Sequence, residues 1–102
     1  MQSLFMNTLS RNESSVQLAW RQVRGDSLIA ARAAALFTSD ISASSRPTPV
    51  EVDHAIGRAL ARYGGIGGCA AEVAFAYGDH PDTAAPRMRW ALWGAKNLRG
   101  RG

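Results

Sequence analysis

The sequence predicts an all-α protein, and three observations predict it. Apolar residues recur at helical spacing, most clearly at Val52, Ala55, Ile56, Ala59, Leu60 and Tyr63. Alanine, the strongest helix former, fills 18 of 102 positions. No stretch alternates apolar and polar residues over the length of a strand. A chain of this length holds one domain at most, with enough buried surface for a modest core. The expected organisation is a small helical bundle: a loosely ordered N-terminus over 1–12, a helical hairpin over 13–37, a linker over 38–47, a trihelical domain over 48–97 and a basic tail over 98–102.

The first helix is expected over 14–23, where Val16, Ala19, Trp20 and Val23 follow the i, i+3, i+4, i+7 pattern. Gly25 stops it, and Asp26 or Ser27 can cap the next helix, 28–37. That helix is Ala-rich, with Leu28, Ile29, Leu36 and Phe37 expected on one face and Arg32 snorkelling at the edge. Ser, Thr, Asp and Pro then mark 38–47 as a linker. Thr48-Pro49-Val50-Glu51 spells a capping box. The Thr48 hydroxyl can accept the Glu51 amide, Glu51 can reach back to the Thr48 amide, and proline lacks the hydrogen that would be orphaned at N1. The helix it opens should run to Gly64-Gly65, a C-terminal stop. A further helix is expected over 68–77, with Ala70, Val73, Ala74 and Tyr77 on one face and Gly78 ending it. Gly78-Asp79-His80-Pro81-Asp82 is turn chemistry. Thr83 can cap the last helix, 84–97, placing Pro86 in its first turn, where a missing donor costs little.

The charge is unevenly spread. The net charge is +4, with lysine only at Lys96 and arginine at every other basic position, a bias that fits a GC-rich bacterial genome. Residues 49–82 hold two arginines against five acids, whereas residues 83–102 hold Arg87, Arg89, Lys96, Arg99 and Arg101 and no acid. An all-basic final fifth suits an anionic partner. The lone Cys69 excludes an internal disulfide and any multi-cysteine metal site. No apolar run reaches the ~18 residues of a transmembrane helix. The N-terminus has no basic region and only a short apolar patch, a poor signal peptide, so a cytoplasmic location is expected, with Met1 or Met6 as the start.

Residues 70–90 read as helix, glycine turn, helix. Val73-Ala74, Tyr77-Gly78 and Thr83-Ala84 resemble the helix-turn-helix segment of bacterial repressors. That resemblance implies close helix packing at Ala74, a positive φ at Gly78 and a recognition helix opening near Thr83. It departs from the pattern at Asp79, where an apolar residue is usual, and Pro86 falls where a recognition helix presents side chains. A trihelical bundle that merely shares this geometry is the alternative. Helical angles place Ala85, Met88, Leu92 and Ala95 on the buried stripe of the last helix. Arg87, Arg89, Trp90, Trp93 and Lys96 then take the remainder. On the DNA reading, Arg87 and Arg89 meet base edges or phosphates, and Lys96, Arg99 and Arg101 meet phosphates. Trp90 and Trp93 can be packing groups, a partner surface, or platforms for single-stranded bases.

Other chemistry finds little support. Gly64-Gly65-Ile66-Gly67-Gly68 lacks the lysine and hydroxyl of a phosphate loop, and no βαβ unit surrounds it, so it reads as an interhelical turn. His54, Cys69 and His80 match no metal spacing, Cys69 reads as a small buried residue, and Asp79-His80 reads as a cap or surface pair. No catalytic constellation, cofactor or metal is expected. Docking of the last helix on an anionic membrane is weakened because its aromatic and basic residues share one side. Two functions remain. One is a small non-enzymatic nucleic-acid-binding regulator with DNA as partner. The other is a non-catalytic interaction module or accessory subunit that binds a protein or a second copy through Trp90 and Trp93 or through the 28–37 helix.

Overall fold

The structure, a computed structural model, describes residues 27–99. The expected helix over 14–23, the order of residues 1–12 and Arg101 lie outside the described residues. Within them the fold is all-helical: α1 over 27–38, a 3₁₀ turn at Ala43–Ser45, α2 at Pro49–Tyr63, α3 at Ile66–Asp79 and α4 at Pro81–Asn97. No described helix is long and apolar enough to cross a membrane.

The α2 helix follows its sequence pattern closely. Thr48 caps it, accepting the Glu51 amide at 3.2 Å, while the Thr48 amide donates to the Glu51 carboxylate at 2.8 Å. Val52, Ala55, Ile56 and Ala59 are buried, and Leu60 and Tyr63 pack at the core's edge. Gly64 ends the helix with φ 79°, and the amides of Gly64 and Gly65 both donate to the Leu60 carbonyl. Gly65 has φ 101° and ψ −169°, a region open in practice only to glycine. The turn is tight enough that a Cβ on Gly68 would fall on the Tyr63 carbonyl oxygen.

The next two helices are longer than their composition suggests. α3 begins at Ile66 rather than Gly68 and runs through Gly78 to Asp79, so Gly78 neither ends it nor takes a positive φ. Only His80 separates α3 from α4. Its φ of −141° breaks the helical run, and its carbonyl accepts the Thr83 and Ala84 amides. Pro81, preorganised for N1, starts α4 in place of Thr83, whose hydroxyl only donates back to the His80 carbonyl at 3.2 Å. Pro86 is therefore the sixth residue of the helix, where it removes the bond to the Asp82 carbonyl, rather than a first-turn residue.

The core joins all four helices. α1 contributes Ala33, Ala34, Ala35, Leu36 and Phe37 to the cluster that holds Val52, Ile56, Cys69, Ala84, Ala91 and Ala95. The segment 38–47 thus ties α1 to the others. The face of α1 differs from the expectation at Leu28, which is 60% exposed, while Arg32 pairs with Asp53 at 3.1 Å. The C-terminal part of the 28–37 helix, residues 33–37, is a core element, whereas Leu28 and Ala30 at its start are exposed. Few large side chains are fully enclosed, Leu36, Val52 and Cys69 being the largest. Small residues let the backbones approach. At Gly94 of α4 a Cβ would come within 2.7 Å of Leu36 Cδ2.

Candidate nucleic-acid interface

The buried face of α4 decides which of its basic residues remain available. It comprises Ala84, Ala91, Gly94 and Ala95, with Met88 and Leu98 packed beside them. The expected stripe of Ala85, Met88, Leu92 and Ala95 is rotated from this by nearly one residue's angular step. Ala95 is buried and Ala85 and Met88 are half-buried, but Leu92 is 37% exposed. The reason is volume. The contact with α1 is too close for leucine, and alanine and glycine fill it instead.

That rotation carries Arg87 inward, between Ala84 and Ala91 on the same face. Its Nε donates to the Phe37 carbonyl at 2.7 Å. Its Nη2 donates to the carbonyls of Ile41 at 2.9 Å, Ser39 at 3.1 Å and Leu36 at 3.4 Å. These carbonyls belong to the end of α1 and the turn after it, where the helix dipole is negative and acceptors lack partners. Thr38 Oγ1 serves the Ala34 and Ala35 carbonyls and Ser39 Oγ serves Leu36. The guanidinium also lies over the rings of Phe37, at 5.9 Å, and Trp90, at 4.8 Å. Burial lowers its pKa from the usual arginine value, and the group stays charged. Arg87 is thus a structural clamp, and its assignment as a contact to base edges or phosphates is corrected.

Arg89, two residues on, points the other way. Arg89, Trp93 and Lys96 are exposed at i, i+4 and i+7, which places them on one outer face. Trp93 is 54% exposed, whereas Trp90 is half-buried under Arg87. Arg99 is exposed just beyond the helix. None of Arg89, Lys96 and Arg99 is in an ion pair among the described residues. Beside this face is a cleft of about 380 Å³ lined by Ala43, Arg46, Pro47, Trp90, Trp93 and Leu98. Sequence reasoning missed Arg46. Its only local signal is the step to Pro47, and it reaches the site because the 3₁₀ turn packs on α4. Arg46 is also the one positive-φ non-glycine residue described, at φ 53°.

The remaining candidates are dispersed. Cys69 is fully buried, with Sγ 3.7 Å from the Ala59 carbonyl, as a small packing residue should be. His54 is exposed on α2, and His80 lies 3.4 Å from Asp79 with both side chains exposed. Among the described residues no three metal-ligating side chains converge. The features that carried the helix-turn-helix resemblance look different in three dimensions. Gly78 is helical and Ala74 is exposed rather than packed. No protein-family model matches the chain, and neither a curated protein nor a solved structure is significantly similar to it.

Proposed function

We propose that the protein is a non-enzymatic nucleic-acid-binding protein that docks through the outer face of the C-terminal half of α4. The observation that supports this reading best is the exposed stripe of Arg89, Trp93 and Lys96, continued by Arg99 and free of acids from residue 83 onward. Phosphate contacts from such a face give affinity and salt dependence. The N-terminal end of α4 suits this role poorly. Asp79 and Asp82 are exposed there, and Arg87 is taken up by α1. The docking end is therefore the opposite one from that of a helix-turn-helix recognition helix.

The test is fluorescence anisotropy with a labelled 20-mer, as single strand and as duplex, at 50 and 200 mM salt. With three or four phosphates engaged, affinity should fall roughly 20- to 50-fold across that range on the single strand and roughly 40- to 150-fold on the duplex. The Arg89→Ala, Lys96→Ala double variant should lose at least ~10-fold at 50 mM with an unchanged melting temperature. Absence of binding to either form at 50 mM overturns the reading.

One observation favours a second reading, self-association. α3 is apolar around most of its circumference, yet only Cys69 in it is buried and Phe75 is 71% exposed. A helix of this kind is normally enclosed. Sedimentation velocity of wild type against Phe75→Ser would show a concentration-dependent dimer, lost in the variant, if α3 meets a second copy.

A further inference from the structure

The cleft beside α4 differs in its charge from two other surface clefts among the described residues. One of those is lined by Glu51 with His54 and Arg58, and the other by Asp40 with Arg58 and Arg62. Each therefore carries its own carboxylate, and Asp40 is bonded to Arg58 at 3.0 Å. The third has no acid and no side-chain acceptor. Its walls are two indoles, Leu98, Ala43 and Pro47, and its only charge is Arg46. At about 380 Å³ it is at the small end of ligand-sized clefts, roughly 300–1,000 Å³.

Arg46 has an unusual backbone for its side chain. It is a left-handed residue, φ 53° and ψ 62°, at a position where glycine or asparagine would be unstrained. The side chain is exposed and makes no hydrogen bond or ion pair among the described residues. Nothing among the described residues uses the arginine, and its side chain lines the edge of an aromatic cleft. Arg89 and Lys96 bracket Trp93 along the helix, about 10 Å apart at 1.5 Å per residue. A flat apolar platform is thus surrounded by unpaired cations on both the α4 side and the 3₁₀ side.

The geometry points to single-stranded DNA as the ligand, with an unpaired base stacked on Trp93 in this cleft and the neighbouring phosphates held by Arg46, Arg89, Lys96 and Arg99. This rests on the nucleic-acid reading above and specifies its substrate. A duplex keeps its bases stacked on one another and offers the indole none, whereas a single strand can turn a base out onto an aromatic ring. Cations at the rim then follow the backbone without reading sequence. The side chains lining the cleft offer no acceptor to a ribose hydroxyl. Arg87, stacked on Trp90, fills one face of that indole and leaves Trp93 as the open platform.

The experiment compares three labelled 12-mers at 50 mM salt: oligo(dT), a blunt duplex, and a strand with the same phosphates whose central residues are abasic. Oligo(dT) should bind at least ~10-fold tighter than either of the others, because a stacked base is the difference. Trp93→Ala should lose about 10-fold on oligo(dT) and nothing on the abasic strand, while Trp93→Phe keeps most of the affinity. Arg46→Gly should weaken oligo(dT) and the abasic strand alike, with a melting temperature equal to or above wild type, which a purely structural arginine would not allow. Equal binding of oligo(dT) and the abasic strand, or tighter binding of the duplex, overturns the stacking inference. If that binding still depends on Arg89 and Lys96, the basic-face reading stands without it. No binding of any probe takes down both.

Discussion

The α2 and α4 helices have similar lengths and share one core, yet they enter it by different means. α2 buries an ordinary apolar stripe, Val52, Ala55, Ile56 and Ala59, behind a capping box and in front of a left-handed glycine. α4 buries Ala84, Ala91, Gly94 and Ala95, leaves Leu92 and Trp93 outside, starts without a side-chain cap and carries Pro86 inside. In α2 hydrophobicity chooses the buried face. In α4 the closeness of α1 chooses it, and residue volume outranks hydrophobicity. A helix seated by small residues leaves its large ones free for a partner. The candidate site is accordingly on α4.

The largest expected effect is at the joint that follows α2. Gly67 and Gly68 are adjacent and both helical, but a Cβ on Gly68 would collide with the Tyr63 backbone while one on Gly67 meets nothing within 4 Å. Gly68→Ala should cost at least about 3 kcal/mol, since backbone cannot move aside as a side chain can. Gly67→Ala should be neutral or stabilise by up to ~1 kcal/mol. Urea denaturation of the pair measures both. Similar midpoints for the two variants would show that the α2–α3 turn is looser than the approach of Gly68 to the Tyr63 carbonyl implies.

Next is the clamp that seats α4. Arg87→Ala should cost about 2 kcal/mol or more, because it strips a charged donor from four carbonyls at and beyond the end of α1. Arg87→Lys should recover little, since a point charge cannot serve them together. Arg89→Ala should stay within ~0.5 kcal/mol of wild type. A thermal melt with a 4–8 °C fall per kcal/mol is sensitive enough to separate them. If Arg89 were the costlier of the two, the orientation of α4 would have to be redrawn.

These two arginines show where sequence reasoning ended. Composition and spacing disclosed the all-helical class, the stripe of α2, its cap and stop, and burial of Cys69. Each is written within a few residues of where it acts. The role of Arg87 depends on carbonyls about 50 residues away, which no local pattern encodes. A charge count sees Arg87 and Arg89 as equals. Gly78 misled for a related reason. A glycine marks a possible turn, but here Pro81 and the φ of His80 place the break two residues later, and Gly78 stays helical. Arg46 was overlooked because its relevance comes from the 3₁₀ turn being laid against α4.

A more modest effect tests the volume argument at Gly94. An alanine there would push a Cβ to 2.7 Å from Leu36 Cδ2, and Leu36 is fully buried with little room to turn. Gly94→Ala gains helix propensity but should still lose about 1–2 kcal/mol through overpacking. Leu36→Val in the Gly94→Ala background should recover part of that loss, so the two substitutions are non-additive. Strict additivity in a double-mutant cycle would separate α1 from α4 at this point and return the choice of buried face to hydrophobicity.

The smallest effect contrasts the two helix starts through pH. The Glu51 carboxylate accepts the Thr48 backbone amide and is also tied to the Thr48 side chain, and these bonds hold its pKa below the ordinary 4.5. A carboxylate with a lowered folded-state pKa contributes stability that is complete above its unfolded value. That contribution is lost as pH falls through the folded value. Asp40, lowered chiefly by its hydrogen bond from Arg58, behaves in the same sense from an ordinary value of 3.8. Glu51→Gln keeps the reach of the capping box without the titration. Its melting temperature should therefore drop less than that of wild type between pH 6 and pH 3, with the Asp40 contribution common to both. The His80 start of α4 has no side-chain cap to lose. If Glu51→Gln follows the wild-type curve, the reciprocal bonds at Thr48 do not persist in solution, and α2 is held by its buried stripe and the two glycines alone.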